Sequence, residues 1–142
     1  MRFVILRKAD KYTEAGTTPS QGVLEAMGRY MEEMGQAGVL QSAEGLQASS
    51  RGVRIKFSKG KPTVTDGPFA ETKELIAGFC IIQVESKEEA VEWGKRWPAI
   101  DADGGVELEI RQVHEAEDFG AEFTPELRKQ EQELRDKLAG KR

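Results

Sequence analysis

Apolar positions along the chain change their spacing several times, and each change marks an element. Phe3-Val4-Ile5-Leu6 is an unbroken apolar run of strand length, the pattern of a strand covered on both faces. Residues 9–17 are polar and read as a loop. Thr18-Pro19-Ser20-Gln21 then supplies a cap residue, a proline at the first helical position and a capping-box partner. Behind it Val23, Leu24, Met27, Tyr30, Met31 and Met34 recur at helical spacing, and Gly35 or Gly38 ends the helix. Methionines at that spacing fit either a pliable groove or a core face filled by flexible side chains, and the core face is the expectation.

Strand signals follow. Val39-Leu40 and Leu46 mark one strand. Val53, Ile55 and Phe57 alternate with Arg54 and Lys56, which predicts a half-buried strand with one wet face. Ser58-Lys59-Gly60-Lys61 is a turn, and residues 62–65 return as the hairpin partner. Residues 78–84 are almost wholly apolar and belong at the centre of the sheet.

Ser86-Lys87-Glu88-Glu89 opens a second helix with Ala90, Trp93 and Trp97 on one face, closed by Pro98. Both tryptophans suit packing on the sheet better than a stacking platform for bases. The acidic residues Asp101, Asp103 and Glu107 lack the ordered ligand spacing of a calcium loop and read as solvated. Val106, Leu108 and Ile110 alternate in a last strand. The fold class is therefore α+β, a ferredoxin-like βαββαβ plan with an inserted β-hairpin. A C-terminal helix follows, opened by Thr124-Pro125, with Leu127, Leu134 and Leu138 on a thin stripe. Glu131/Arg135 and Glu133/Lys137 would support it as ion pairs, and it either covers a neighbouring surface or stands solvated. Residues 1–115 form the folded domain and 116–142 the helical extension.

Composition narrows the chemistry. At 142 residues the chain suits one domain that buries about two-thirds of its unfolded surface. One cysteine, Cys80, leaves no internal disulfide and no cysteine-built zinc site, and its apolar strand makes it an inert buried thiol. Catalysis through histidine would have to use His114, which closes the last strand and is expected to be exposed there. The net charge of −4, with acids and bases interleaved, lacks the basic face of a direct nucleic-acid binder. The N-terminal apolar run is too short for a signal peptide or a membrane span, so a cytoplasmic protein with no membrane partner is expected.

The densest chemistry lies in Asp66-Gly67-Pro68-Phe69-Ala70-Glu71-Thr72-Lys73-Glu74. Gly67 and Pro68 preset a tight turn, Asp66 can accept hydrogen bonds from following amides, and Phe69 is placed to plug the core below. Glu71, Lys73 and Glu74 then crowd acid and base where a pKa could be shifted for proton transfer. A capped loop with exposed ion pairs is the plainer alternative.

That segment, continued by Gly78-Phe79, closely resembles the signature of the DGPF branch of YCII-related proteins. Met27-Gly28-Arg29-Tyr30, Ala37-Gly38-Val39-Leu40, Glu44-Gly45-Leu46, Lys87-Glu88-Glu89-Ala90 and Glu109-Ile110-Arg111 are similar to the family as well. So are Trp93, Arg96 and Pro98, and Thr124-Pro125-Glu126-Leu127-Arg128 resembles the tail of one subset of members. The resemblance implies a ferredoxin-like fold whose sheets pair into a dimeric α+β barrel, hence a homodimer, with a polar cleft between sheet and helices. It implies no assigned activity. Some members adjoin sigma-factor genes of the extracytoplasmic-function type, which points to a regulatory or interaction module as the alternative and to a sigma factor as a possible partner. Cofactor-free monooxygenases, muconolactone isomerase-like enzymes and haem-dependent chlorite dismutases share the barrel only by analogy. An early histidine used by certain relatives is missing, since no histidine precedes His114.

The leading expectation is a small organic ligand in the barrel cleft, contacted by Asp66, Gly67, Pro68, Phe69 and Asp10. Any catalysis would be acid/base chemistry without cofactor or metal. In it Asp66 orients the loop or accepts a proton, Glu71 acts as a mobile carboxylate and Lys73 holds an anionic group.

Overall fold

The N-terminal apolar run becomes β1 (Arg2–Lys8), which lies between two antiparallel neighbours, β5 (Ile76–Gln83) and β6 (Leu108–Gln112). β2 (Leu40–Gly45) pairs antiparallel with the far side of β5, giving the order β2-β5-β1-β6. One helix, α2 (Gln21–Gln36), connects β1 to β2, and another, α3 (Lys87–Lys95), connects β5 to β6. With both central strands antiparallel to their neighbours, this is the ferredoxin-like βαββαβ arrangement. The hairpin of β3 (Val53–Ser58) and β4 (Lys61–Asp66) is inserted between β2 and β5 as a separate ribbon. This computed structural model describes residues 1–140, with one compact unit at Met1–Gln112 and a second beginning at Val113.

Register sets the core. Ile5 lies opposite Cys80 and Ile110, and Phe3 opposite Ile82, so these side chains share one face of the sheet. Tyr30 and Met34 of α2 and Ala90 and Trp93 of α3 close over that face. Each large apolar side chain buried there contributes roughly 1.5–3 kcal/mol. The Tyr30 hydroxyl donates to the Trp93 carbonyl at 2.6 Å, so the buried oxygen is satisfied. Burial raises its pKa well above the ordinary tyrosine range and pushes the Cys80 thiol up to about 11. The other sheet face carries Val4, Leu6, Phe79 and Ile81, all half-buried, so β1 is buried on alternate residues rather than on both faces.

Several local expectations change. Asp10 caps a short helix, α1 (Lys11–Glu14), inside the stretch read as a loop; the Asp10 and Thr13 side chains close a capping box. The cap of α2 is Ser20, whose hydroxyl accepts from the Val23 amide at 3.2 Å. The helix thus starts two residues later than the Thr18-Pro19 pattern predicts, with Ser20 in extended backbone as the residue whose side chain caps it. The β3–β4 ribbon is exposed on both faces, with Val53, Ile55, Phe57 and Val64 more than half accessible, because no second layer among the described residues covers it. Its turn runs through Lys59 and Gly60, both at positive φ, as a tight two-residue hairpin requires.

In the second unit, α4 (Pro125–Ala139) is capped by the Thr124 hydroxyl, which accepts from the Leu127 amide at 3.2 Å. Leu127, Leu134 and Leu138 are exposed. Arg135 meets Glu131 at 2.7 Å as the spacing predicts, whereas Glu133 reaches back to Lys129 at 3.9 Å.

Candidate functional site

Arg7 continues the alternation of Phe3 and Ile5, so the sheet carries its guanidinium onto the buried face. A charge there must be paired and hydrogen-bonded to persist. Asp101, in the turn after α3, takes two of its bonds, Nε to Oδ2 at 3.1 Å and Nη2 to Oδ1 at 2.7 Å. Nη1 donates to Asp10 Oδ2 at 2.7 Å and to the Lys8 carbonyl at 3.0 Å. The Trp97 indole completes the set by donating to Asp101 Oδ2 at 2.9 Å. Asp10 Oδ1 meanwhile accepts from the Tyr12 and Thr13 amides at 2.8 and 3.0 Å.

Burial alone would neutralise these groups, and the bonds outweigh it. Desolvation raises both carboxyl groups. Asp101 is nonetheless held below the usual range by bonds from Arg7 and Trp97, and Asp10 by bonds from the Thr13 amide and Arg7. Desolvation likewise opposes the Arg7 charge, and the two aspartates more than restore it. Asp101 is thus buried and paired, correcting the expectation of a solvated acidic loop. The partner that explains it sits almost a hundred residues away in sequence.

Beside this network a cavity of about 930 Å3 opens against one face of α2. Val23, Leu24, Met27 and Met31 form its apolar wall, with Trp97 and Ala43. Arg7, Asp101, Thr13 and Thr17 supply polar groups, and Gln47, Ala48, Ser50 and Arg51 lie along another side. A smaller lobe of about 280 Å3 shares Arg7, Thr13, Thr17 and Asp101 with it and extends to Tyr12, Ser20 and Asp103. An apolar cavity of this size with a few converging polar groups is the usual form of a small-molecule site. The α2 methionines therefore divide, Met34 filling the core and Met27 and Met31 lining the cavity. Trp97 likewise adds cavity lining to its packing role, its ring 5.6 Å from Tyr30 in an edge contact.

The Asp66–Glu74 segment lies outside these walls. Asp66 ends β4 opposite Val53 and is exposed, as are Glu71 and Lys73 around the short helical turn Thr72–Glu74. Glu71 stands 3.7 Å from Arg54, whose guanidinium covers the Phe69 ring at 3.9 Å. Phe69 is half-buried under that arginine rather than plugged into the core. The motif instead fastens the neighbouring turn. The Gly67–Pro68 peptide is cis, and the Gly67 amide donates to the Gly52 carbonyl at 2.9 Å. The Phe69 amide donates to the Ser49 hydroxyl at 3.0 Å. Ser49 in turn donates from its amide to Glu14 at 2.9 Å and from its hydroxyl to the other Glu14 oxygen. A Cβ on Gly67 would fall 1.7 Å from the Ser49 carbonyl oxygen, so only glycine fits. Of the expected contact residues, Asp10 alone joins the cavity's polar network, through Arg7.

Arg7, Thr13 and Ser50 carry no sequence signal of a site, whereas Met27, Trp97 and Asp101 are weighed from pattern and read as core, packing and solvated loop. Arg7 does carry a signal of burial: an arginine in phase with Phe3 and Ile5 must be buried and must find carboxylates. Among the described residues no cluster of three or more His, Cys, Asp or Glu could hold a metal ion, and no helix is long and apolar enough to cross a membrane. His114 follows β6, exposed, 3.9 Å from Asp118, with its ring 4.9 Å from that of Phe119 and tilted 40° to it.

Fold and cavity together define a ferredoxin-like α+β protein with an open cleft between sheet and helix. The model of the YCII-related domain matches residues 1–115, and the chain belongs to that family. An uncharacterised protein of Rhizobium meliloti (strain 1021) is 37% identical over 60 residues, 42% of this chain. That match spans about half of the relative's length, 48%. Among solved structures the chain is similar to 5-chloro-2-hydroxyhydroquinone dehydrochlorinase (TftG) from Burkholderia phenoliruptrix AC1100, in complex with 2,5-dihydroxybenzoquinone. That likeness has a TM-score of 0.43 at 14% identity, over 80% of this chain and 94% of that one.

Proposed function

We propose that this YCII-related chain binds a small organic molecule, largely apolar and bearing hydroxyl or carbonyl groups, in the cavity between α2 and the sheet. The carrying observation is the cavity itself: about 930 Å3, walled by Met27, Met31, Leu24 and Trp97 and floored by the Arg7–Asp101 pair. Methionine and tryptophan give a polarizable wall for a flat ring, and the Thr17 hydroxyl can orient polar substituents, that of Thr13 being taken up by the α1 cap. Filling the cavity tests this. Ala43 lines it from β2, and Ala43→Phe should leave the circular-dichroism spectrum unchanged while abolishing the thermal-shift response to small aromatic alcohols such as 2-phenylethanol. A wild-type chain that does not respond, or a variant that responds equally, contradicts the reading.

If the bound molecule is also transformed, the reaction is acid/base chemistry without a cofactor. Asp66, Glu71 and Lys73 are the proposed proton-transfer and anion-holding groups in that case. Their exposed loop would have to fold toward the cavity mouth over the Ser49–Arg51 turn. Turnover by the wild type that persists in both Asp66→Asn and Glu71→Gln removes them from that role.

The working unit is proposed to be a homodimer. Both long helices of the first unit pack on the Phe3–Ile5 face, and Val4, Leu6, Phe79 and Ile81 form an apolar centre on the other, edged by Arg2, Lys8, Glu109 and Arg111. A second copy of the sheet would bury that centre. Sedimentation should give twice the chain mass for the wild type and a folded monomer for Ile81→Lys. A monomeric wild type overturns this.

A further inference from the structure

The buried arginine invites the view that the cavity receives an anion, and its bonding argues the reverse. A guanidinium has five N–H donors. In Arg7 four hydrogen bonds are already made, three of them to the carboxylates of Asp10 and Asp101. Both acids are held ionised by their partners, so the pair of carboxylates already exceeds the charge it surrounds.

The small lobe adds a third acid. Ala102, Asp103 and Gly104 all take positive φ, of 52°, 54° and 86°. Two successive non-glycine residues in that region are strained, and such strain persists where the surrounding structure holds it. The turn sends Asp101 inward to Arg7 and brings Asp103 across to α1, where Oδ2 accepts the Tyr12 hydroxyl at 2.7 Å. No cation pairs with Asp103 among the described residues within 4 Å. Tyr12 and Asp103 both line the small lobe, as do the hydroxyl-bearing Thr17, Thr18 and Ser20. The lining of the small lobe therefore holds the Arg7 guanidinium against the carboxylates of Asp101 and Asp103, with hydroxyl groups between them. Behind it Asp10 adds a third carboxylate on Arg7 and Lys11 a second cation, its ammonium 5.1 Å from the centre of the Tyr12 ring, so the acids outnumber the bases by one.

We infer that the two lobes form one site selective for charge: the ligand's apolar body lies in the large lobe against Met27, Met31 and Trp97, and a hydroxyl or ammonium group enters the small lobe toward Asp103 and Tyr12, while a carboxylate is excluded. Arg51, the other arginine lining the large lobe, lies on the Ser49–Arg51 turn, outside the small lobe's lining. The selectivity rests on the ligand-binding reading given above and sharpens it to neutral and amine-bearing molecules.

Three probes share one aromatic body and differ at the end: 2-phenylethylamine, 2-phenylethanol and 3-phenylpropanoate. Calorimetric titration at neutral pH and low salt should rank them amine, alcohol, acid, with the amine at least about tenfold tighter than the acid, the scale set by reversing a unit charge beside an unpaired carboxylate in screened surroundings. Asp103→Asn should weaken the amine several-fold more than the alcohol, and Ala43→Phe should abolish binding of all three. An acid that binds as tightly as the amine, or an amine preference that survives Asp103→Asn, overturns the charge selectivity while leaving a ligand site in place. Binding of none of the three, together with no effect of Ala43→Phe on any thermal response, overturns the underlying ligand-site reading instead.

Discussion

The Arg7 network and the Asp66–Glu74 loop both gather acids and bases, under opposite conditions. Arg7 and Asp101 have side chains 9% and 12% exposed and meet at 2.7 Å; Arg54 and Glu71 are about half exposed and stand 3.7 Å apart. In the first place the protein supplies four of the five bonds that the Arg7 guanidinium can donate. In the second, water screens the charges and the backbone carries the information, through the close approach of Gly67 to Ser49. Crowded charge in the sequence marked the loop, whereas the charge held out of water was scattered over residues 7, 10 and 101. Stability and pH response should separate the two regions.

The largest effect is expected at the buried pair. Asp101→Ala leaves Arg7 with its main partner gone and should cost roughly 3–5 kcal/mol in urea unfolding. The pH response follows from the same bonds. Asp101 and Asp10 are held below their ordinary values, so the unfolded chain binds more protons as the pH falls. Their stabilisation is present above about pH 4 and is lost as acid protonates the folded carboxylates. An Asp101→Asn chain should show a flatter acid limb in a plot of unfolding free energy against pH. An unchanged limb would mean that the pair is not what acid breaks.

The loop's own backbone comes next. Gly67→Ala should cost about 2–4 kcal/mol, because its Cβ meets fixed backbone that must move. The matched change Gly28→Ala, inside α2 with nothing within 4 Å of the added Cβ, should stabilise by up to about 1 kcal/mol. Thermal melts of the two variants should move in opposite directions. Ser49→Ala removes the hydroxyl that joins Phe69 to Glu14 and should cost about 1–2 kcal/mol. The smallest effect belongs to the loop's charges: Glu71→Gln should stay within about 0.5 kcal/mol of the wild type by the same unfolding measurement. A larger loss there would make the loop's charges as structural as the buried ones.

Periodicity made most of the fold legible. The alternation at Val53–Phe57, the apolar run around Cys80, the Ser86 cap and the Thr124-Pro125 start all became the elements they describe. What the pattern hid depended on contacts distant in sequence. Asp10 as a cap for α1 was signalled only by a threonine three residues on. The ribbon's exposure follows from the lack of a covering layer, which alternation cannot show. Asp101 looked like its neighbours Asp103 and Glu107 until β1 delivered Arg7 to it. The methionine spacing favours a core face, which Met34 fills, while Met27 and Met31 line the cavity, and the cavity's floor has no signal in the pattern.

The measurement that most directly tests the site's location is a two-dimensional NMR titration of the folded chain with 2-phenylethanol. The Trp97 indole N–H, bonded to Asp101 at 2.9 Å, reports on the cavity floor, and the backbone amides of Thr13, Thr17, Met27 and Met31 report on its walls. The predicted result is that these signals shift together and most strongly, while the amides of Glu71, Lys73 and Glu74 barely move. Strong shifts confined to residues 66–74, with the Trp97 indole unmoved, would contradict the account and return the site to the motif loop.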